Sequence, residues 1–210
     1  MKHLIRITII LLMTFPVFGC GAFGISFGGV KTQPTTTTLE PNYYGMIAHA
    51  KWNHNPITYA VYGGDSSIPF INIRATVERG FNRWEKYMAP LGYSFVQVNP
   101  NRLPAPDVKV MIETAWDIAK ETGSDPRNTD GDTELFYKTD GKTIDHVEMH
   151  ILRTLTPDLM EAVCIHEWGH ALGIRGHSNN SDDAMYPDIH LPMTITTSDA
   201  NTITKIYSVK

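Results

Sequence analysis

The segment from His166 to His177 constrains this chain more than any other, and it reads His-Glu-Trp-Gly-His-Ala-Leu-Gly-Ile-Arg-Gly-His. On an α-helix, side chains four residues apart lie on the same face. His166 and His170 can therefore direct their imidazoles toward one point, as two ligands of a zinc ion must. The spacing predicts a helix that carries part of a metal site.

The residues around these two histidines extend the pattern. The carboxylate of Glu167 is turned aside from the pair, so it can reach a water molecule held by the metal rather than the metal itself. Gly173 can end the helix in a left-handed turn, which would bring His177 back as a third nitrogen ligand. Three protein ligands leave one tetrahedral position open, as in catalytic rather than structural zinc sites. We therefore expect a zinc hydrolase with Glu167 as its general base.

The same segment, together with the Ala-Met-Tyr-Pro turn at residues 184–187, resembles the metzincin metallopeptidases and, among them, the matrixins. The resemblance implies a zinc-dependent endopeptidase with three zinc ligands, His166, His170 and His177. It also implies that Met185 lies in a Met-turn beneath the histidines, where it forms an apolar floor without binding the metal.

The position of the third histidine departs from the matrixin pattern, which has two residues between the glycine and that histidine. This chain has three, residues 174–176. We expect Gly176 to adopt backbone angles that accommodate the extra residue. The pair His177-Ser178 matches the matrixin pattern, so His177 remains the expected third ligand. The alternative third ligands are Asp182, Asp183 and His190.

The N-terminal part of the chain predicts export and anchoring. After a basic start, residues 7–18 form an apolar run that is too short to span a bilayer, so residues 1–19 are expected to be a signal peptide. Cys20 follows directly and is the expected site of lipid attachment in a bacterial cell envelope, with secretion after cleavage near Ala22 as the alternative. Residues 20–45 are rich in glycine and threonine and predict a flexible tether.

Residues 46–210 are expected to form one catalytic domain of the α+β class. The hydrophobic content of 42% and the charged content of 19% are ordinary for a globular protein. A formal net charge of −4 without a basic run argues against nucleic acid as a partner. We expect a monomer that binds a peptide or protein substrate.

Periodicity predicts the elements of this domain, and the resemblance supplies their arrangement: a mixed twisted sheet with an antiparallel edge strand, the zinc-binding helix, the Met-turn and a C-terminal helix. The edge strand, along which an extended substrate would lie, is expected at 145–152. Residues 187–196 are expected to line an apolar pocket beyond the scissile bond, and 113–144 show no strong periodicity. The predicted strands are 56–62, 93–98, 108–112 and 145–152, and the predicted helices are 73–88, one that opens at 156–158, and 198–208.

Two places are candidates for further ions. Residues 128–132 alternate oxygen-bearing side chains around a glycine, which suits a structural calcium ion or, alternatively, a solvated loop with Asx turns. His146, Glu148 and His150 alternate on one face of their strand. They predict either a second, structural zinc ion or exposed polar positions on an edge strand.

Three further points remain open at this stage. Cys164 is expected to be a buried, inert thiol, with a thiol that gates the zinc as the alternative. The enzyme could be a zinc hydrolase of cell-wall peptides rather than of ordinary proteins. The chain could also be a zinc-binding surface lipoprotein without turnover, but Glu167 argues against this because a binding module needs no general base.

Overall fold

The computed structural model describes residues 6–7, 41–63, 70–101 and 103–209. Cys20 and nearly all of the predicted signal peptide and tether lie outside the described residues, so these assignments remain predictions. Within the described ranges, none of the helices combines the length and the apolar character that crossing a bilayer requires.

The elements follow the predicted α+β order. Short 3-10 turns lie at Tyr44–Met46 and Ala89–Leu91. The strands are β1 (Arg6–Ile7), β2 (Ala48–His49), β3 (Ile57–Gly63), β4 (Phe95–Gln97), β5 (Val108–Glu113), β6 (Gly131–Tyr137), β7 (Ile144–Leu152) and β8 (Ile174–Arg175). The α-helices are α1 (Phe70–Met88), α2 (Ala115–Thr122), α3 (Pro157–Ala171) and α4 (Thr197–Ser208).

The main sheet is mixed, which confirms the predicted class of fold. Strands β4, β3, β5 and β7 are parallel, β6 is antiparallel to β7, and β1 pairs with the outer edge of β6. The predicted edge strand at 145–152 is wrong, because β7 lies between β5 and β6. Alternating polar residues on β7 suggested a solvent-facing strand, but helix α2 approaches that face at His150: Glu121 of α2 lies 3.9 Å from this buried ring.

The region 113–144 contains two elements that the sequence did not reveal. Helix α2 is short, begins at the N-cap Thr114, whose hydroxyl accepts a hydrogen bond from the amide of Asp117, and ends at left-handed Gly123 with a φ of 80°. Strand β6 is buried on both faces from Asp132 to Tyr137. A strand covered on both sides loses the alternation by which a strand is recognised.

The core lies between the sheet and helices α1 and α3. Trp168 of α3 stacks on Phe81 of α1 with ring centroids 3.9 Å apart. The two helices approach closely, since a Cβ atom at Gly80 would lie 2.6 Å from Cβ of Cys164. Cys164 is fully buried and burial raises the pKa of its thiol, which confirms the expected buried and inert cysteine.

Candidate active site

Helix α3 carries the first two histidines of the motif into the core of the site. The rings of His166 and His170 lie with their centroids 4.9 Å apart, and each side chain is 4% exposed. The helix ends as predicted at Gly173, whose φ is 106°. A Cβ atom there would also lie 2.0 Å from the carbonyl oxygen of Ala50, so only glycine fits this turn.

The chain after this turn returns His177 to the two helical histidines. Its ring centroid lies 5.2 Å from that of His166 and 5.0 Å from that of His170. One nitrogen from each ring lies within 4.8 Å of the others. We call these three residues the inner histidine cluster. The structure thus brings together the three ligands that the sequence predicted.

The three residues between Gly173 and His177 include a short strand. Ile174 and Arg175 form β8, which pairs with β2. Gly176 does not lie in the left-handed region, so a left-handed turn at this residue is not what accommodates the extra residue. Glycine is needed there because a Cβ atom would lie 2.7 Å from Cγ2 of Ile47.

Backbone carbonyls orient the two helical histidines. Nδ1 of His166 lies 2.8 Å from the carbonyl oxygen of Ala184, and Nδ1 of His170 lies 2.7 Å from that of Ile174. Since a carbonyl oxygen only accepts, Nδ1 carries the proton in each ring. Nε2 is therefore left with its lone pair, which is the arrangement that a metal-ligating histidine requires.

Burial also sets the charge of the inner histidine cluster. It lowers the pKa of His166 to about 3, and it holds the pKa of His170 well below its ordinary value. The pKa of His177 is lowered for the same reason. All three rings are neutral at pH 7, and the neutral imidazole is the form that binds metals.

The predicted Met-turn lies against helix α3, close to His166. Met185 is fully buried, and a Cβ atom at Gly169 would lie 2.2 Å from its sulfur, so the turn packs directly against α3. Buried Asp199 of α4 holds this turn by accepting hydrogen bonds from the amides of Ala184, at 2.8 Å, and Met185, at 3.4 Å. Asp199 also accepts one from the hydroxyl of Tyr43, at 2.7 Å.

Sequence reasoning did not identify Asp199. The signal that could have found it is the capping box formed with Thr196, since threonine followed three residues later by an acidic residue marks a helix start. The neighbouring carboxylate of Asp183 accepts hydrogen bonds from the hydroxyls of Thr196 and Ser178. Asp183 is therefore engaged away from the histidines, and neither it nor His190 belongs to the described three-histidine group.

Glu167 lies next to the inner histidine cluster, 6% exposed. Its Oε2 accepts a hydrogen bond of 2.6 Å from the hydroxyl of Thr133 on β6. Burial raises the pKa of Glu167 to about 8; the hydrogen bond from Thr133 opposes this shift and the charge of Asp132 adds to it.

A cleft of about 830 Å³ opens in front of these residues. The predicted pocket wall at 187–196 contributes only its first three residues to the cleft, while Met193 is buried behind it. Leu159 and Val163 of α3 add apolar surface on the same side. The remaining lining comes from the inner histidine cluster, Glu167, the loop 124–130 and the first residues of β6.

The candidate positions for further ions differ from the prediction. In the loop 128–132, the glycine and final aspartate belong to β6, and nearby Asp125 forms an Asx turn and an ion pair of 2.7 Å with Arg127. On β7, His146 stacks on Phe136 with ring centroids 4.3 Å apart.

Among the described residues, two groups of carboxylates converge on His150 of β7: Glu113 with Glu121, and Glu134 with Glu148. We call Glu134, Glu148 and His150 the outer cluster. Of the three residues predicted at exposed edge-strand positions, His150 is fully buried, so the expectation is wrong for it, whereas His146 and Glu148 are partly exposed.

The comparison with family models matches residues 51–208 to the matrixins, peptidase family M10. Because the match covers well over half of the chain, the protein belongs to the matrixin family, which confirms the resemblance. Matrixins are zinc-dependent metalloendopeptidases, so family membership and the three neutral imidazoles point to the same class of enzyme. A comparison with curated proteins finds no match.

Proposed function

We propose that this protein is a zinc-dependent endopeptidase in which His166, His170 and His177 bind the zinc ion and Glu167 is the general base. The observation that carries this proposal is the convergence of three imidazoles, with ligand atoms within 4.8 Å of one another, beside a buried carboxylate in an open cleft. Three nitrogen ligands and one open position are the composition of a catalytic zinc site.

The residues fit this ion in charge and in orientation. The carbonyl partners of His166 and His170 leave Nε2 of each ring as the ligand atom. When bound, zinc lowers the pKa of a water molecule from about 15.7 toward about 7 and polarises a substrate carbonyl. A cation at the three imidazoles also favours the ionised form of Glu167, which is the form that accepts a proton.

The chain's own residues then perform the proton transfer. Glu167 takes the proton of the attacking water at a carboxylate oxygen and returns it to the amine nitrogen of the leaving group. Glu167 is suited to this role because it is 6% exposed and yet lines the cleft together with the inner histidine cluster.

We place the substrate along β6 rather than along β7. In the described structure, the outer edge of β6 pairs with the two residues of β1, which belong to the predicted signal peptide. After removal of that segment this edge would be free to accept an added strand. A substrate that adds here passes the cleft, and its side chain beyond the scissile bond meets the apolar surface of Leu159, Val163 and Ile189. We therefore expect a preference for an apolar residue at that position.

The cellular location rests on sequence alone. We propose that the protein is exported, carries lipid on Cys20 and acts as a monomer at the bacterial cell envelope. Cys164 is fully buried, so Cys20 has no accessible thiol partner for a disulfide among the described residues. Mass spectrometry of the purified protein for an acylated N-terminal cysteine tests this assignment.

The proposed function requires one ion. In the outer cluster, Nδ1 of His150 donates to Glu113 at 2.8 Å and the ammonium group of Lys109 lies 2.8 Å from Glu148. Protein groups thus already compensate part of the negative charge of the carboxylates in and around the outer cluster. We assign no catalytic role to a second zinc or calcium ion. Metal analysis that finds about one zinc per chain in active protein supports this assignment.

Cleavage of casein and of quenched peptides by the purified protein, with and without a zinc chelator, tests the proposal. We expect zinc-dependent cleavage, and we expect Glu167→Gln to keep its zinc while losing about 10²–10⁴-fold in rate, the usual contribution of a general base. Full activity in that variant would refute the role of Glu167. Cleavage of cell-wall peptides but not of casein would redirect the proposal to that substrate class.

A further inference from the structure

Strand β6 contacts the general base through a side chain that lies outside the zinc-binding motif. The hydroxyl of Thr133 lies 2.6 Å from Oε2 of Glu167, and 3.3 Å from the backbone carbonyl oxygen of the same residue. A hydroxyl has only one proton to donate. The shorter contact has the length of a charge-assisted hydrogen bond to a carboxylate, so we assign the proton to Oε2 of Glu167. Thr133 is 3% exposed, so water does not compete for this contact.

The same strand leaves room for the other oxygen of the carboxylate. Gly131 and Thr133 are two residues apart and so share the face of β6 that is turned toward α3. A Cβ atom at Gly131 would lie 3.0 Å from Oε1 of Glu167 and 2.7 Å from Cγ1 of Val163. Strand β6 therefore engages one oxygen of Glu167 and makes space for the other.

Thr133 is itself held in place. Its backbone pairs opposite Met149 of β7, within the sheet ladder. Threonine is branched at Cβ, which restricts the rotation of its hydroxyl relative to the strand. The direction of the hydrogen bond to Glu167 is thus determined by the sheet.

We propose that Thr133 is a positioning residue for the general base: its hydroxyl fixes Oε2 of Glu167, so that Oε1 is the oxygen presented to the attacking water. This inference rests on the proposed function of the site. In this role Thr133 acts through Glu167, to which its hydroxyl is hydrogen-bonded. The hydroxyl is not needed for zinc binding, since it contacts Glu167 rather than the histidines, and the partners of His166 and His170 are backbone carbonyls.

The test compares Thr133→Val, which keeps the shape and removes the hydroxyl, with Thr133→Ser, which keeps the hydroxyl. We expect the valine variant of the zinc-loaded protein to lose about ten-fold in kcat, the effect of one hydrogen bond to a charged group, with KM and zinc content unchanged. The serine variant should stay within about two-fold of the wild type. In a Glu167→Gln background, Thr133→Val should add no further loss.

A second readout does not require turnover. Acetohydroxamate chelates zinc and gives up a proton to a nearby carboxylate, so its affinity reports on the placement of Glu167. We expect about ten-fold weaker binding to the valine variant and unchanged binding to the serine variant. If the valine variant does not fold, Thr133→Ala is measured in the same two ways, with the same expectation.

Unchanged kcat and unchanged acetohydroxamate affinity without the hydroxyl would overturn the positioning role. An equal loss in the wild-type and Glu167→Gln backgrounds would also overturn it, because it would show that Thr133 acts on packing alone. If the zinc-loaded wild type cleaves no peptide, the proposed function fails, whereas the acetohydroxamate affinities still decide the role of Thr133.

Discussion

Two groups of metal-binding side-chain types occur in the described structure, the inner histidine cluster on helix α3 and the chain after it, and the outer cluster on strands β6 and β7. They differ in what engages their ring nitrogens. In the inner histidine cluster, His166 and His170 donate from Nδ1 to backbone carbonyls, which fix the tautomer without adding charge. In the outer cluster, His150 donates to the carboxylate of Glu113, and Lys109 pairs with Glu148. Similar residue types thus form an open ligand set in one cluster and a network with internal charge compensation in the other.

The largest effect should follow from removing one ligand of the inner histidine cluster. His170→Ala deletes a nitrogen that the described structure does not replace, so we expect loss of stoichiometric zinc and of at least about 10³-fold in kcat/KM. Atomic absorption and a peptide-cleavage assay on the same preparation measure both quantities. Retained zinc in this variant would exclude the proposed site.

The next largest effect should come from the support of the Met-turn. Asp199→Ala leaves the amides of Ala184 and Met185 and the hydroxyl of Tyr43 without their shared acceptor. We expect a loss of about 3 kcal/mol in the free energy of unfolding, measured by urea denaturation, and weaker zinc binding. A variant with wild-type stability would contradict the assigned role of Asp199.

Loss of a histidine from the outer cluster should lower the stability of the protein but not its zinc content, in contrast to the inner histidine cluster. His150→Ala removes a fully buried ring and its hydrogen bond to Glu113, so we expect about 2–3 kcal/mol of destabilisation. Zinc content and kcat/KM at a permissive temperature should remain those of the wild type. If His150→Ala also lowered the zinc content, the two clusters would not differ in metal binding, and an ion would have to be assigned to the outer cluster.

The smallest effect should follow from a single hydroxyl at the edge of the site. Tyr43→Phe removes one of the hydrogen bonds to Asp199 and leaves the ring buried. We expect about 1–2 kcal/mol of destabilisation in urea denaturation, with unchanged zinc content by atomic absorption. An effect as large as that of Asp199→Ala would mean that the N-terminal segment, rather than the Met-turn amides, depends on this carboxylate.

The same comparison explains which parts were predictable from sequence. The inner histidine cluster was predictable, because the helical spacing of His166 and His170 and the turn at Gly173 are local properties of one segment. Strand β6 and helix α2 were not predictable. Strand β6 is buried on both faces, and α2 buries few side chains.

The roles of individual contacts depend even more on the tertiary structure. Thr133 meets Glu167 across 34 residues of sequence, and Asp199 meets the amide of Ala184 across 15. The polar alternation of β7 did not reveal that this strand lies inside the sheet or that helix α2 approaches His150.

X-ray absorption spectroscopy of the zinc-loaded protein tests the central claim most directly. The inner histidine cluster predicts one zinc per chain with three nitrogen ligands at about 2.0–2.1 Å and one oxygen ligand. Glu167→Gln should leave this spectrum unchanged, and His177→Ala should remove one nitrogen. A shell of carboxylate oxygens with a single nitrogen, or correctly folded protein without bound zinc, would contradict the account.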